Sequence, residues 1–179
     1  MINVVITGST RGFGYGLAEA FLDRDCAVSI SGRTQTSVDD ALRALSAGHR
    51  AERMMGRPCD VSDFEQIGAL WDASKARFGQ IDIWINNAGI AHPLMDIREM
   101  SPAQVAAVIE TNLLGAIYGS QVALNGMMAQ GFGSIYITSG HGGTGRKQDG
   151  LSLYGTSKAG LRYFTESLII ETKGSPVLV

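Results

Sequence analysis

The chain begins with a short β-branched run that leads directly into a glycine-rich turn. Ile2–Thr7 reads INVVIT, which is typical of a strand buried on both faces of a parallel sheet. Gly8, Gly12 and Gly14 follow this run, and Phe13–Asp25 then has the apolar spacing of a helix. One interpretation is that these glycines do no more than form a tight turn. Their place between a buried strand and a helix N-terminus instead favours a backbone cradle for a phosphate group.

Strand-like and helix-like segments alternate along the whole chain, without repeats or a linker. This alternation predicts a single α/β domain in which a parallel sheet carries helices on both faces. Ligands of such sheets bind beyond the carboxyl ends of the strands. The expected strands are Ile2–Thr7, Ala27–Ser31, a segment within Ala51–Cys59, Ile81–Ile85, Ser134–Thr138 and Pro176–Val179. The expected helices are Phe13–Asp25, Thr36–Ser46, Asp63–Phe78, a helix from Ser101 that reaches Met128, and Ser152–Lys173.

Residues at the helix ends support these boundaries. Ser62 and Glu65 have the spacing of a capping box before the third helix. The SPAQ segment that starts at Ser101 combines a cap residue, a proline at the first helical position and a glutamine at the third. Gly174 is expected to cap the last helix. Because the chain ends in PVLV, where a sixth strand starts, we expect a truncated domain with further chain downstream.

Composition and charge exclude several classes of protein. Hydrophobic residues make up 45% of the 179 residues and charged residues 18%, which excludes a disordered chain. The net charge of −2 provides no basic field for nucleic acid or an anionic membrane. Cys26 and Cys59 lack metal-ligand spacing, as do His49, His92 and His141, so we expect reduced thiols and no metal site. Without a signal peptide or an apolar span, the expected location is cytoplasmic.

Polar residues follow the fourth and fifth expected strands. Asn86–Gly89 reads NNAG, and its adjacent amides would either fasten neighbouring backbone or line a nucleotide site. Tyr154 and Lys158 are four residues apart and share one face of the last helix. A nearby ammonium favours a phenolate, which makes a tyrosine a better acid–base group at neutral pH. Such a pair is common by chance, so it becomes informative only together with the other motifs.

The motifs TGSTRGFG, NNAG and YGTSK, in this order, resemble the short-chain dehydrogenase/reductase family over essentially the whole chain. The resemblance implies a Rossmann-type doubly wound sheet with strand order 3-2-1-4-5-6, a nicotinamide dinucleotide, and hydride transfer to or from a carbonyl or alcohol carbon. Tyr154 matches the family's acid/base. Lys158 matches the lysine that stabilises the phenolate and binds ribose, and Asn112 matches the asparagine of the proton relay. The expected cofactor-binding residues are Gly8, Ser9, Thr10, Arg11, Gly12, Phe13, Gly14, Arg33, Asp60, Val61, Asn87, Ala88, Gly89, Tyr154 and Lys158.

One feature of the family is displaced in this chain. The family usually carries a catalytic serine after strand five, often the second of a Ser-Ser pair, and by register that position falls on Gly140. Ser139, immediately before it, is the residue we expect to orient the substrate oxygen. His141 is an alternative donor, and the absence of any side-chain donor is a third possibility. Thr138 precedes Ser139 in an extended segment and should point to the opposite face.

The end of the second strand predicts the choice of cofactor. An NAD enzyme usually has an acid there to accept the ribose hydroxyls, but this chain reads SGRT and has no acid before Asp39. Arg11 and Arg33 instead suit the 2′-phosphate of NADP(H), because guanidinium donates hydrogen bonds in pairs. We therefore expect NADP(H) in preference to NAD(H).

These patterns predict an oxidoreductase that moves hydride between NADP(H) and a carbonyl or alcohol carbon of a small or medium-sized organic substrate. The segments TGSTRGFGYGLA, DIWINNAG and YGTSKAGLRYF also resemble the chlorophyll(ide) b reductase branch, so a formyl reductase is one alternative. A non-catalytic NADP-binding regulator is the other, since the Ser-Ser pair is missing. The family resemblance implies a homodimer or homotetramer that pairs through the helix from Ser101 and the helix from Ser152.

Overall fold

The computed structural model describes residues 1–179 and contains one six-stranded parallel sheet. Its strands are β1 (Asn3–Ile6), β2 (Ala27–Gly32), β3 (Met54–Pro58), β4 (Ile83–Asn86), β5 (Gly133–Ile137) and β6 (Val177–Leu178). They lie in the order β3-β2-β1-β4-β5-β6, and every neighbouring pair is parallel. The predicted α/β class and strand order are confirmed. β1 and β4 lie side by side, so their carboxyl ends form the switch point at which ligands of such sheets bind.

Helices cover both faces of this sheet. They are α1 (Gly12–Leu22), α2 (Gln35–Ser46), α3 (Phe64–Phe78), α4 (Pro102–Ile109), α5 (Gly115–Gln130) and α6 (Ser152–Glu171). One apolar core, with Trp71, Trp84 and Met127, lies between the sheet and α3 and α5. A second core, with Ile6 and Ile30, lies on the other face against α1 and α2. Because β1 is fully buried between these cores, its sequence is a continuous apolar run rather than an alternating one. No helix is long and apolar enough to cross a membrane.

The third helix has a different cap from the one that its sequence suggested. Asp63 caps α3, because its carboxylate accepts hydrogen bonds from the N–H groups of Glu65 and Gln66. Ser62 instead donates its N–H and its hydroxyl to the carboxylate of Asp60. The Ser62–Glu65 capping box was therefore wrong. Asp63 and Gln66 are also three residues apart. Asp63 becomes the cap because Ser62 is already hydrogen-bonded to Asp60 in the preceding turn.

The expected helix from Ser101 changes its hydrogen-bond pattern near its middle. Ser101 and Gln104 form the predicted capping box at the start of α4. α4 then passes into a π-helical segment, Glu110–Leu114, and α5 continues from Gly115. The prediction of one uniform α-helix was wrong at this point. The π-helical segment contains the fully buried Asn112, and such bulges occur frequently at functional sites.

The third strand lies within the expected segment and the last helix ends earlier than expected. β3 covers Met54–Pro58, preceded by a 3₁₀ turn at Ala51–Arg53. α6 ends at Glu171 rather than at Lys173. The cap position of α6 is occupied by Thr172 and not by the expected Gly174. Gly174 lies two residues further on, in the turn that follows the helix, with a φ of 81°.

Candidate active site

The turn between β1 and α1 needs glycine at two positions for reasons of space. Gly8 has a φ of 61°, and a Cβ there would lie 2.7 Å from the Cα of Ala88. A Cβ at Gly14 would overlap the side-chain amide of Asn87 and lie 2.6 Å from the carbonyl oxygen of Gly8. Gly12 has a φ of 59° but open space around it. The first helical turn therefore lies close to the ends of β1 and β4, and its N-terminus faces outward beside Gly12.

Asn87 and Thr7 join the end of β4 to this turn. The Asn87 amide donates hydrogen bonds to the carbonyl oxygens of Thr7 and Gly8, each at 3.0 Å. The Thr7 hydroxyl accepts from the N–H groups of Asn87 and Ala88. Asn87 thus fastens neighbouring backbone, which is one of the two interpretations of the NNAG motif, and it also lines the groove described next.

A groove of about 480 Å³ runs over the carboxyl ends of β1, β2 and β4. Its lining includes the expected positions Gly8, Thr10, Arg11, Gly12, Phe13, Gly14, Arg33, Asp60, Val61, Asn87, Ala88 and Gly89. Ser9 does not line the groove, because its fully buried hydroxyl donates to the carbonyl oxygen of Ile6 and accepts from the N–H of Ser31. The glycine-lined turn at the N-terminus of α1 leaves an open cradle of backbone there, which fits the pyrophosphate of a dinucleotide.

The end of the groove beside β2 is basic. Arg11 and Arg33 are both exposed and line this end together with Thr34 and Ser37. Gly32, the last residue of β2, is buried, and a Cβ there would lie 2.6 Å from the Thr10 side chain. The end of β2 therefore carries a glycine packed against Thr10 and no acid.

A second cavity, of about 470 Å³, lies over the ends of β4 and β5. Tyr154 and Lys158 from α6 line it, and so do Thr138 and Ser139 after β5. It shares Phe13, Asn87, Gly89 and Ile90 with the groove. The dinucleotide groove and the Tyr154–Lys158 pair are therefore parts of one continuous depression.

Lys158 is held beneath Tyr154 by burial and one hydrogen bond. Only 6% of Lys158 is exposed, and its Nζ donates to the carbonyl oxygen of Thr138 at 3.2 Å. The same nitrogen lies 5.9 Å from the centroid of the Tyr154 ring. Burial lowers the pKa of Lys158, because removal from water disfavours the charged ammonium.

Asn112 connects the π-helical segment to the chain that follows β4 and to α6. Its Oδ1 accepts from the N–H of Ile90 at 2.7 Å, and its Nδ2 donates to the carbonyl oxygen of Ile90 at 2.9 Å. The second Nδ2 hydrogen bond, of 3.2 Å, goes to the hydroxyl of Ser157, which itself donates to the carbonyl oxygen of Tyr154. Asn112 therefore fixes the chain at Ile90, four residues after β4, relative to the helix that carries Tyr154 and Lys158.

The segment after β5 places its candidate donors in different directions. Ser139 is exposed and lines the cavity that contains Tyr154, whereas His141 lines a separate cavity beside the first turns of α6. The Thr138 hydroxyl is 3.4 Å from Oδ1 of Asn87. Gly140 also lies beside the Tyr154 hydroxyl, since a Cβ there would be 2.6 Å from this oxygen.

A family model described as short chain dehydrogenase matches residues 3–179. The chain belongs to this family. The glycine turn, the NNAG motif and the Tyr154–Lys158 pair that carried the resemblance all lie at the switch point of its sheet.

One of the relatives of this chain is named as a reductase. The chain is 36% identical over 177 residues to a protein of Oryza sativa subsp. japonica named chlorophyll(ide) b reductase NOL, chloroplastic. That alignment covers 98% of this chain and 52% of the rice protein, so the chain spans about half of that relative's length.

Two solved structures with bound cofactors share the fold. The structure of ElxO with NADP bound has a TM-score of 0.90 and 27% identity, over 98% of this chain and 70% of that one. A short chain dehydrogenase/reductase from Burkholderia phymatum in complex with NAD has a TM-score of 0.90 and 26% identity. The latter match covers 99% of this chain and 63% of that one.

Several residues that line the groove were not among the expected cofactor-binding residues. Gly32, Thr34, Ser37, Ile90 and Thr111 line the groove. Ile90 directly follows the NNAG motif, and Thr34 and Ser37 follow β2, so reading five residues beyond each strand end would have found these three. Ser157 binds Asn112 from a position 45 residues away in the sequence, which spacing alone does not show.

Proposed function

We propose that this chain is an NADP(H)-dependent oxidoreductase that interconverts a carbonyl and an alcohol. The observation that carries the proposal is the continuity of the dinucleotide groove with the cavity that contains Tyr154 and Lys158. A substrate in the second cavity would contact both the acid/base pair and the end of a cofactor lying along the groove. The non-catalytic alternative has less support, because a regulator needs no buried lysine beneath a tyrosine.

A bound nicotinamide would supply or accept the hydride at the boundary between the groove and the cavity. Tyr154 would donate its hydroxyl proton to the substrate oxygen during reduction and accept one during oxidation. The Lys158 ammonium would stabilise the phenolate left behind, and Ser139 would donate a hydrogen bond to the same substrate oxygen. Asn112 would hold Ile90 and α6 in register, and would connect the proton relay to solvent.

The preference for NADP(H) rests on the residues at the end of β2. Arg33 and Arg11 are exposed at the basic end of the groove, where paired guanidinium N–H groups suit a phosphate. Gly32, the last residue of β2, has no side chain that would accept ribose hydroxyls or repel the phosphate, and a Cβ there would crowd Thr10. Relatives in this fold bind either cofactor, as the NADP and NAD complexes show for those proteins.

Cofactor titration of the wild type and Arg33→Ala tests this preference. We expect NADPH to bind more tightly than NADH in the wild type, and the advantage to fall by about tenfold or more in Arg33→Ala, since charge-assisted hydrogen bonds contribute roughly 1.5–3 kcal/mol. Arg43→Ala is the matched control, because Arg43 is exposed on α2 and lies outside the groove. Equal or tighter NADH binding by the wild type would contradict the preference, and so would an unchanged preference in Arg33→Ala.

The substrate is proposed only as a class, a carbonyl compound of small to medium size, since a cavity of about 470 Å³ is within the usual range for such ligands. The name of the rice relative favours one narrower candidate, a formyl group on a large ring system. Chlorophyllide b and benzaldehyde, each offered with NADPH, distinguish the candidates. Turnover of chlorophyllide b with formation of the hydroxymethyl product supports the narrower one, whereas turnover of benzaldehyde alone removes it.

The oligomeric state and the location stay predictions. Tyr163, Ile169 and Ile170 are exposed apolar residues on α6, one of the helices through which a homodimer or homotetramer is expected to pair. The rice relative is named chloroplastic, so a cytoplasmic location does not follow from that relative.

A further inference from the structure

The segment 140–145, which follows Ser139, has few anchors of its own. Four of its six residues are glycine, and the other two, His141 and Thr144, are exposed. Because glycine has more backbone freedom than any other residue, such a segment keeps one conformation only where its contacts hold it. Its contacts with α6 therefore influence where Ser139 lies relative to Tyr154.

Two hydrogen bonds fold this segment into consecutive turns. The N–H of Gly143 donates to the carbonyl oxygen of Gly140 at 3.0 Å, and the N–H of Gly145 donates to that of Gly142 at 2.9 Å. A Cβ at Gly143 would lie 2.6 Å from the hydroxyl oxygen of Ser139, so the first turn folds back onto this serine. The position of Gly143 and the direction of the Ser139 side chain are therefore linked.

Arg162, eight residues after Tyr154 on α6, holds this turn through its guanidinium group. Its Nη1 donates to the carbonyl oxygen of Gly143 at 3.1 Å. Its Nε donates to the carboxylate of Glu166, one turn further along the helix, at 2.7 Å. Because the guanidinium is planar and stays charged in proteins, the contact with Glu166 fixes the plane from which Nη1 reaches Gly143.

Arg162 can be replaced without a change in the lining of the site. Two other contacts of this region with α6 involve Lys158 or backbone alone, since Lys158 binds the carbonyl oxygen of Thr138 and Gly142 packs on the backbone of Gly155. Arg162, in contrast, is exposed and lines neither the dinucleotide groove nor the cavity over β4 and β5. Its effect on that cavity passes through the turn.

We propose that Arg162 is a positioning residue, which holds the turn at Gly143 on α6 and thereby keeps the Ser139 hydroxyl directed into the cavity that contains Tyr154. This inference rests on the proposed function, because it gives Ser139 the role of hydrogen-bond donor to the substrate oxygen. The tether itself is independent of turnover, since it concerns only the contact between Arg162 and the turn.

Hydrogen exchange of the free protein tests the tether without turnover. In Arg162→Gln the amides of Gly143 and Gly145 should exchange about threefold faster or more than in the wild type, because the turn loses a charge-assisted hydrogen bond. Arg43→Gln is the matched control and should leave these amides unchanged, since Arg43 is likewise exposed in an ion pair on its own helix, α2. Unchanged exchange of both amides in Arg162→Gln would overturn the inference.

Steady-state kinetics test the effect on the site, with NADPH and the most rapidly reduced compound of an aldehyde and ketone panel that includes benzaldehyde. Arg162→Gln should lower kcat by about fivefold or more, with the Kd for NADPH within about twofold of the wild type, because only a group at the reacting centre is misplaced. In a Ser139→Ala background the same substitution should change kcat by less than about twofold, since no hydroxyl is left to position.

Equal losses of kcat in the two backgrounds would overturn the inference, and so would a Ser139→Ala enzyme with the kcat of the wild type. An unchanged kcat in Arg162→Gln would overturn it as well. A wild type that reduces no compound of the panel would instead refute the proposed function, while the exchange of Gly143 and Gly145 would still decide the tether.

Discussion

At Lys158, the demands of folding and of the proposed chemistry oppose each other. A mostly buried ammonium with one carbonyl partner is costly to remove from water, and burial accordingly lowers the pKa of this lysine. The same burial places the ammonium 5.9 Å from the centroid of the Tyr154 ring, where it would stabilise the phenolate of the proposed proton transfer more strongly than in water. Lys158 thus costs stability in the fold, and its proposed role is to support the acid/base group.

This conflict predicts a particular dependence of stability on pH. An unfolded lysine keeps its proton up to a pKa near the ordinary value of 10.5, whereas the folded one loses it at lower pH. Between these two values the unfolded chain binds more protons, so the free energy of unfolding rises with pH. Without cofactor, Lys158→Met should therefore be more stable than the wild type at neutral pH, and the difference should shrink as the pH approaches 10.5.

Denaturant unfolding at several pH values measures this difference. Lys75→Met is the matched control, since Lys75 is exposed on α3 and should show no such trend. A difference between the wild type and Lys158→Met that does not change with pH would contradict the assigned effect of burial.

At the scale of elements, α5 approaches the sheet and α3 through glycines that leave no room for a side chain. A Cβ at Gly119 would overlap the side chain of Asn86, and a Cβ at Gly126 would overlap the Trp71 ring. Trp71 in turn packs on Trp84, with ring centroids 5.9 Å apart. These contacts place α5, which continues directly from the π-helical segment, close against the sheet.

Gly126→Ala should therefore destabilise the protein even though alanine favours helices. Overpacking against Trp71 should cost about 1–3 kcal/mol, which exceeds the gain of roughly 1 kcal/mol from helix propensity. Gly68→Ala on α3 is the control, because a Cβ there meets nothing within 4 Å and only the propensity gain remains. Denaturant melts of the two variants should shift in opposite directions, and a stabilised Gly126→Ala would show that α5 is not held closely.

Local sequence signals predicted some of these elements and failed for others. The β-branched run at Val4–Ile6 identified β1, because a strand buried on both faces has to be continuously apolar. The start of α3 was ambiguous, since Ser62 and Asp63 are both good caps with a suitable partner three residues later. The π-helical segment has no signal of its own, because Asn112 is held by partners 22 and 45 residues away.

At the scale of the whole molecule, parallel strand order brings residues distant in sequence to one edge. β1, β2, β4 and β5 all end at the same side of the sheet, so the glycine turn, Arg33, Asn87 and Ser139 meet there. The motifs predicted this meeting, since the family resemblance supplied the strand order that connects them. The register of the family serine also pointed to Gly140, and a Cβ there would lie 2.6 Å from the Tyr154 hydroxyl oxygen. The direction of Ser139 could not be predicted, because it depends on how the loop after β5 packs on α6.

The central claim is that Tyr154 carries the proton transfer of an NADPH-dependent reaction. The most direct measurement follows the oxidation of NADPH with a panel of aldehydes and ketones by the wild type, Tyr154→Phe and Tyr163→Phe. Tyr163 is 76% exposed on the same helix, which makes it the matched control. The account predicts that Tyr154→Phe lowers kcat by about a hundredfold or more, as loss of a general acid does, with the Kd for NADPH within about twofold of the wild type. Turnover by Tyr154→Phe at the rate of Tyr163→Phe would contradict it.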